Sequence, residues 1–126
     1  MNVVDSSGWL EYFADSEHAD FFAEAIEDLD NLIVPTISLY EVFKKVLHLR
    51  GETAAIQAAA HMQLGQVVDL TTPIALNAAS LSLKLKIPMA DSMILATARA
   101  FQATLWTQDE DFEGLDGVRY RSKVPR

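Results

Sequence analysis

Residues 88–109 read "PMADSMILATARAFQATLWTQD", and the fold follows from how this stretch divides. Met93, Ile94, Leu95, Ala96, Ala98, Ala100 and Phe101 leave only Ser92, Thr97 and Arg99 as polar positions, the pattern of a helix buried on nearly every side. "TLWT" (104–107) is a short apolar run of the kind that forms a buried strand. A core helix feeding such a strand belongs to an α/β protein with a parallel sheet covered on both faces. Asp91, in the first turn of the helix, does not fit a core. Either it offsets the positive end of the helix dipole, worth ~0.3–1 kcal/mol, or it has a partner elsewhere, as a carboxylate leading into a core requires.

The same alternation extends through the chain. Asn2–Asp5 is an apolar run ending in an acid, and Ser6 or Ser7 is placed to cap a helix reaching about Ala14. Ser16 is the expected cap of a second helix, with Phe21, Phe22, Ala25, Ile26 and Leu29 as its apolar stripe. "NLIVP" (31–35) reads as a strand stopped by Pro35. Helices are expected from about Ser38 to Arg50 and from Glu52 to Leu64, each followed by glycine. "QVVDL" (66–70) is a third strand, Thr72 with Pro73 opens a helix to about Leu85, and "GVRY" (117–120) is a fifth strand after "TLWT". The expected architecture is one domain over residues 1–126, with a central parallel sheet of about five short strands and helices on both faces.

Composition narrows the function. The chain is half hydrophobic and 22% charged, with few Gly and Pro, which describes a globular protein rather than a disordered or fibrous one. The lack of cysteine rules out a disulfide framework and a thiolate metal site, and fits a reducing compartment. No secretory leader pattern and no apolar run near ~18 residues is present, so a cytoplasmic protein with no membrane association is expected. The net charge is −8. Residues 1–43 hold no Lys or Arg, whereas Arg119, Arg121, Lys123 and Arg126 crowd the last eight positions. Broad electrostatic attraction to nucleic acid is not advertised, so a polyanionic substrate would need an intervening cation.

Four acids fall at the ends of elements. Ligands of open α/β sheets bind beyond the carboxyl ends of the strands, where Asp5, Glu41 and Asp109 lie, and Asp91 precedes the fourth strand. Each has a local alternative: Asp5 as a turn acid, Glu41 in a capping box with Ser38, and Asp109 with Asp111 in a polar loop. Two carboxylates ~5 Å apart repel by roughly 3 kcal/mol at an effective dielectric of ~20. A cluster of four therefore either retains protons at raised pKa or is neutralised by divalent cations. All-oxygen ligands favour Mg²⁺ or Mn²⁺ over zinc.

The chain resembles PIN-domain ribonucleases of the VapC toxin type, from VapBC toxin–antitoxin pairs. The resemblance is carried by "VVDSSGWLEYF" (3–13), "PTISLYEV" (35–42), "MADSMILATA" (89–98) and "LWTQDEDF" (105–112), in that order. It implies a catalytic quartet at Asp5, Glu41, Asp91 and Asp109, with Asp5, Asp91, Asp109 and Asp111 as metal ligands. Asp109 and Asp111 compete for the fourth position. Ser6 and Thr107 stand where the family places small hydroxyl residues, behind the acids. The implied activity is Mg²⁺-dependent hydrolysis of RNA, with Mn²⁺ as substitute, on tRNA or ribosomal RNA. A homodimer and a VapB-type antitoxin are also implied. The antitoxin is expected in a groove along Phe21, Phe22, Ile26 and Leu29, directing an Arg or Lys at the acids.

Other readings compete. A PIN nuclease acting in RNA processing outside a toxin–antitoxin pair shares every motif. A response-regulator receiver would need paired acids after the first strand and a Lys near the penultimate loop, whereas "VVDSS" and "TLWTQDEDF" offer neither. A two-histidine ribonuclease is disfavoured because His18, His48 and His61 fall on different predicted helices. Lys44 and Lys45 follow Glu41 and are candidates for RNA contacts, or form a solvated helix face.

Overall fold

The computed structural model describes residues 1–123. Five strands, β1 (Asn2–Val4), β2 (Leu32–Pro35), β3 (Gln66–Val68), β4 (Thr104–Thr107) and β5 (Val118–Tyr120), form one sheet in the order β3-β2-β1-β4-β5. Every pairing is parallel. Six helices connect them: α1 (Ser6–Phe13), α2 (Ala19–Ile26), α3 (Thr36–Arg50), α4 (Glu52–Met62), α5 (Thr72–Leu85) and α6 (Met89–Ala100).

Strand alternation sends successive side chains to opposite faces, and the two faces nucleate separate cores. Val4, Leu32, Val34 and Trp106 join Trp9, Phe22, Ile26, Val42, Ala55 and Met62, so α1 to α4 cover one face. Val3, Ile33 and Leu105 join Ile94, Leu95, Ala98 and Phe112 on the other, under α5 and α6. The buried, continuous apolar character of β1, β2 and β4 follows from this double cover.

Several boundaries differ from the sequence reading. Asp5, rather than Ser6 or Ser7, caps α1, accepting from the Gly8 amide. Asp is at least as good an N-cap as Ser, and its place at the end of β1 makes the turn tight. Ser16 is not the cap of α2, which begins at Ala19 after His18. Helix α3 starts at Thr36, directly after Pro35, because the extended backbone of Pro35 leads into the first turn without a spacer. Ser38 is therefore buried inside the helix, and a capping box with Glu41 does not form. Helix α4 ends at Met62, short of Leu64. The Phe21–Leu29 stripe is largely covered: Phe22 and Ile26 are fully buried, and Phe21 packs on Trp106 with ring centroids 5.1 Å apart. Phe22 and Ile26, fully buried, line no groove. An open cleft of about 420 Å³ lies between α1, α3 and α4, lined by Leu10, Phe13, Val46, Leu49 and Ala58, with Lys45 and Arg50.

Candidate active site

The carboxyl ends of β1 and β4 are adjacent, with Val4 in register with Trp106, and the acids gather beyond them. Asp5 is 3% exposed and accepts from three donors, one of them shared between its two oxygens. The Gly8 amide lies 2.9 Å from Oδ1, the Ser7 hydroxyl reaches both oxygens at 2.9 and 3.0 Å, and Thr107 Oγ1 donates to Oδ2 at 2.6 Å. Burial pushes the Asp5 carboxyl up to about 6, against the opposing pull of Thr107, Gly8 and Ser7. The nearby charge of Asp109 raises it further. Thr107 also accepts from the Asp109 amide at 2.9 Å, so one hydroxyl holds both the first and the last acidic segment.

Asp91 occupies the first turn of α6. Its carboxyl is pushed up to about 7, mostly by burial and then by the charges of Asp109, Asp5, Glu41 and Asp111. An acid that merely balanced a helix dipole would sit below the usual range. The charge of Asp91 therefore faces other carboxylates, and among the described residues no cation pairs with it. Asp109 caps a 3₁₀ turn at Glu110–Phe112, accepting from the Asp111 amide at 3.0 Å. That turn brings Asp111 back beside Asp109, and Asp91, Asp109 and Asp111 each offer a carboxylate oxygen within 4.8 Å of the others. Both contestants for the fourth acidic position thus lie in this trio, while Asp5 stands behind it with its oxygens engaged. Glu41, half-buried on α3, is held by a 2.6 Å hydrogen bond from Ser6 Oγ.

The donor set fits a hard divalent cation: three carboxylates from two elements, all oxygen, one exposed side for solvent or substrate. Thiol and imidazole ligands are absent from this group.

Two further contributors escaped the sequence reading. Ser7, rather than only Ser6, orients an acid. Gln108 is buried between Thr107 and Asp109 and donates to Glu11 Oε1 at 3.1 Å, while its Oε1 lies 3.2 Å from His18 Nδ1. It ties the last acidic loop to α1 and to the turn before α2. An amide flanked by a strand and an acid carries no periodic signal, and only the fold reveals its partners. Lys44 and Lys45 lie one turn beyond Glu41 and are exposed, Lys44 with Nζ 5.7 Å from the Tyr40 ring centroid and Lys45 lining the cleft. His61 packs edge-on against Trp9, Tyr12 and Phe13, away from the acids.

The model of the PIN domain family matches residues 3–118. The chain belongs to the PIN domain family. Solved structures share this PIN fold at low identity. A toxin–antitoxin complex from Klebsiella pneumoniae superposes with a TM-score of 0.79 at 22% identity, covering 94% of this chain and 96% of that one. VapC20 of Mycobacterium tuberculosis, a sarcin–ricin-loop-cleaving toxin, gives 0.77 at 19% identity over 94% and 99% of the two chains. DNA-bound VapBC from Salmonella typhimurium gives 0.74 at 17%, over 96% of each. No curated protein matches by sequence. Among the described residues, no helix of this PIN domain is long and apolar enough to cross a membrane.

Proposed function

We propose that the chain, a single PIN domain over residues 1–126, is a Mg²⁺- or Mn²⁺-dependent endoribonuclease and a VapC-type toxin of the cytoplasm. The observation that carries this is the convergence of Asp91, Asp109 and Asp111, with carboxylate oxygens within 4.8 Å of one another at the carboxyl edge of the sheet. These three residues would hold the cation. When bound, it supplies Lewis acidity at a phosphodiester and neutralises the clustered charge. Asp5, fixed by Thr107 and Ser7 and with its pKa near 6, is suited to take up a proton near neutral pH. Glu41, aimed by Ser6, completes the acidic edge. Hydrolysis leaves 5′-phosphate and 3′-hydroxyl ends, on structured RNA of the tRNA or ribosomal class read through its loops.

Two protein partners belong to the proposal, supported by the similarity to toxin–antitoxin complexes. A VapB-type antitoxin lays an apolar helix in the cleft between α1, α3 and α4 and directs a cationic side chain at the acids. A second copy of the chain meets the exposed face of α5, where Leu76 is 67% and Leu83 83% exposed. Residues 72–83 there carry no charge, so two copies of net charge −8 meet with least repulsion.

The test is RNA cleavage by purified protein. Activity should require Mg²⁺ or Mn²⁺, vanish in chelator, and be lost in Asp91→Asn and Asp109→Asn variants that remain folded. Full activity in chelator would overturn the metal-dependent reading. Cleavage without any antitoxin that binds the cleft would assign the chain to RNA processing. A Leu83→Glu variant should sediment as a monomer.

A further inference from the structure

We propose that Arg119 and Arg121, on the open edge of the sheet, form a track for the phosphates of single-stranded RNA leading to the acidic edge. This rests on the RNA-cleaving reading above and adds to it the path that substrate takes. Strand β5 is an edge strand and runs parallel to β4, so its carboxyl end emerges beside Thr107. The Arg121 amide donates to the Thr107 carbonyl at 2.9 Å, and Thr107 is the residue that holds Asp5 and Asp109.

The two arginines project from the same face. The guanidinium of Arg119 lies 4.3 Å from the Trp106 ring centroid and 5.8 Å from that of Phe21, and the guanidinium of Arg121 lies 5.7 Å from Phe21. Residues two apart along a strand are separated by about 6.6 Å, a spacing comparable to that of successive phosphates on an extended single strand. Contact with the rings restrains the guanidiniums, and both arginines are exposed, with the N–H donors that bidentate contact with phosphate uses. Less conformational entropy is then lost on binding. Lys123 follows two residues further on, close enough to favour the charged form of Glu11 on α1.

A bland role, covering the buried Trp106 ring, accounts for Arg119 in part. It accounts less well for Arg121, whose guanidinium meets only the part-buried Phe21 ring and which is exposed and, among the described residues, has no ion-pair partner. Among the described residues, the carboxylate that pairs with these arginines, Glu24, stands 4.0 Å from Arg119 with both side chains more than half exposed. Such a pair is weak and readily exchanged for phosphate. The track also meets a need of the whole molecule, since a net charge of −8 repels RNA everywhere that no local cation intervenes.

The experiment measures binding of a short unstructured RNA to the cleavage-silenced Asp91→Asn protein as a function of salt, alone and with Arg121→Gln or Arg121→Lys added. Arg121→Gln should weaken binding about fivefold at low salt and reduce the slope of log affinity against log salt by about 0.7, the value of one single-strand phosphate contact. Arg121→Lys should restore the slope. In the otherwise unaltered chain, Arg121→Gln should raise KM for RNA while leaving kcat unchanged. Cleavage by the parent with an unchanged salt slope in Arg121→Gln would overturn the track and leave the ribonuclease reading intact. Absence of both RNA binding and cleavage in the parent would overturn both.

Discussion

Asp5 carries two functions in one side chain. It caps α1 through the Gly8 amide and anchors β4 through Thr107, so its removal is felt in stability as well as in chemistry. Asp5→Ala should cost about 1–3 kcal/mol in urea denaturation, from the lost cap and the stranded Thr107 hydroxyl. Asp5→Asn, which keeps an acceptor for Gly8, should cost less and still abolish cleavage. Asp91 behaves in the opposite sense. Its folded pKa of about 7 lies above the unfolded value of 3.8, so the folded state binds protons more tightly. The stabilisation this gives is complete below about pH 4 and is lost as pH rises through 7. In chelator, the parent should therefore lose thermal stability relative to Asp91→Asn across that window, and Asp91→Asn should be at least as stable as the parent at pH 7.5. Added Mg²⁺ should raise the midpoint of the parent by binding only the folded state, and raise that of Asp91→Asn less. A variant clearly less stable than the parent in chelator at pH 7.5 would return Asp91 to a helix-terminus role.

At the scale of elements, the tight turn from β1 into α1 limits what can change. A Cβ on Gly8 would stand 2.6 Å from both Val4 Cγ1 and Phe22 Cε1, where real side chains do not approach. Gly8→Ala should destabilise by at least about 1–3 kcal/mol, checked by thermal melting, and should loosen the hold on Asp5. The elements themselves were legible wherever apolar runs were bounded by Gly, Pro or a capping residue: "TLWT" matches β4 residue for residue, and α5 begins at Thr72 as expected. The sequence leaves ends open where several polar residues compete as caps, as with Asp5 against Ser6 and Ser7, because propensity alone ranks them equally and the strand pairing decides. The start of α3 was misplaced because Pro35 serves both as the last strand residue and as the residue preceding the helix. The acids at strand ends were legible from topology rules, whereas Ser7 and Gln108, which orient them, depend on contacts between distant segments. The covered stripe on α2 was misjudged for a similar reason: sequence shows that a face is apolar but does not reveal that Trp106 and Arg119 lie over it.

The order β3-β2-β1-β4-β5 makes the first strand central, flanked by β2 and by a strand from the far end of the chain. A truncated chain ending at Ala103 lacks β4 and β5, leaves one edge of β1 unpaired, and exposes Val3 and Val4. It should show no cooperative thermal transition by circular dichroism. Thr107 and Asp5 are separated by 102 positions in sequence, which has a consequence in time. At synthesis rates of about 5–20 residues per second, roughly 5–20 seconds pass between the emergence of Asp5 and that of the residue that locks it. Throughout that interval the acids near the N-terminus exist without their partners from β4, and no nascent chain short of Thr107 can assemble the site. On the proposed reading, the ribosome making this protein must pass Thr107 before the chain can cut RNA, and a partner already present can meet it at the moment it becomes competent.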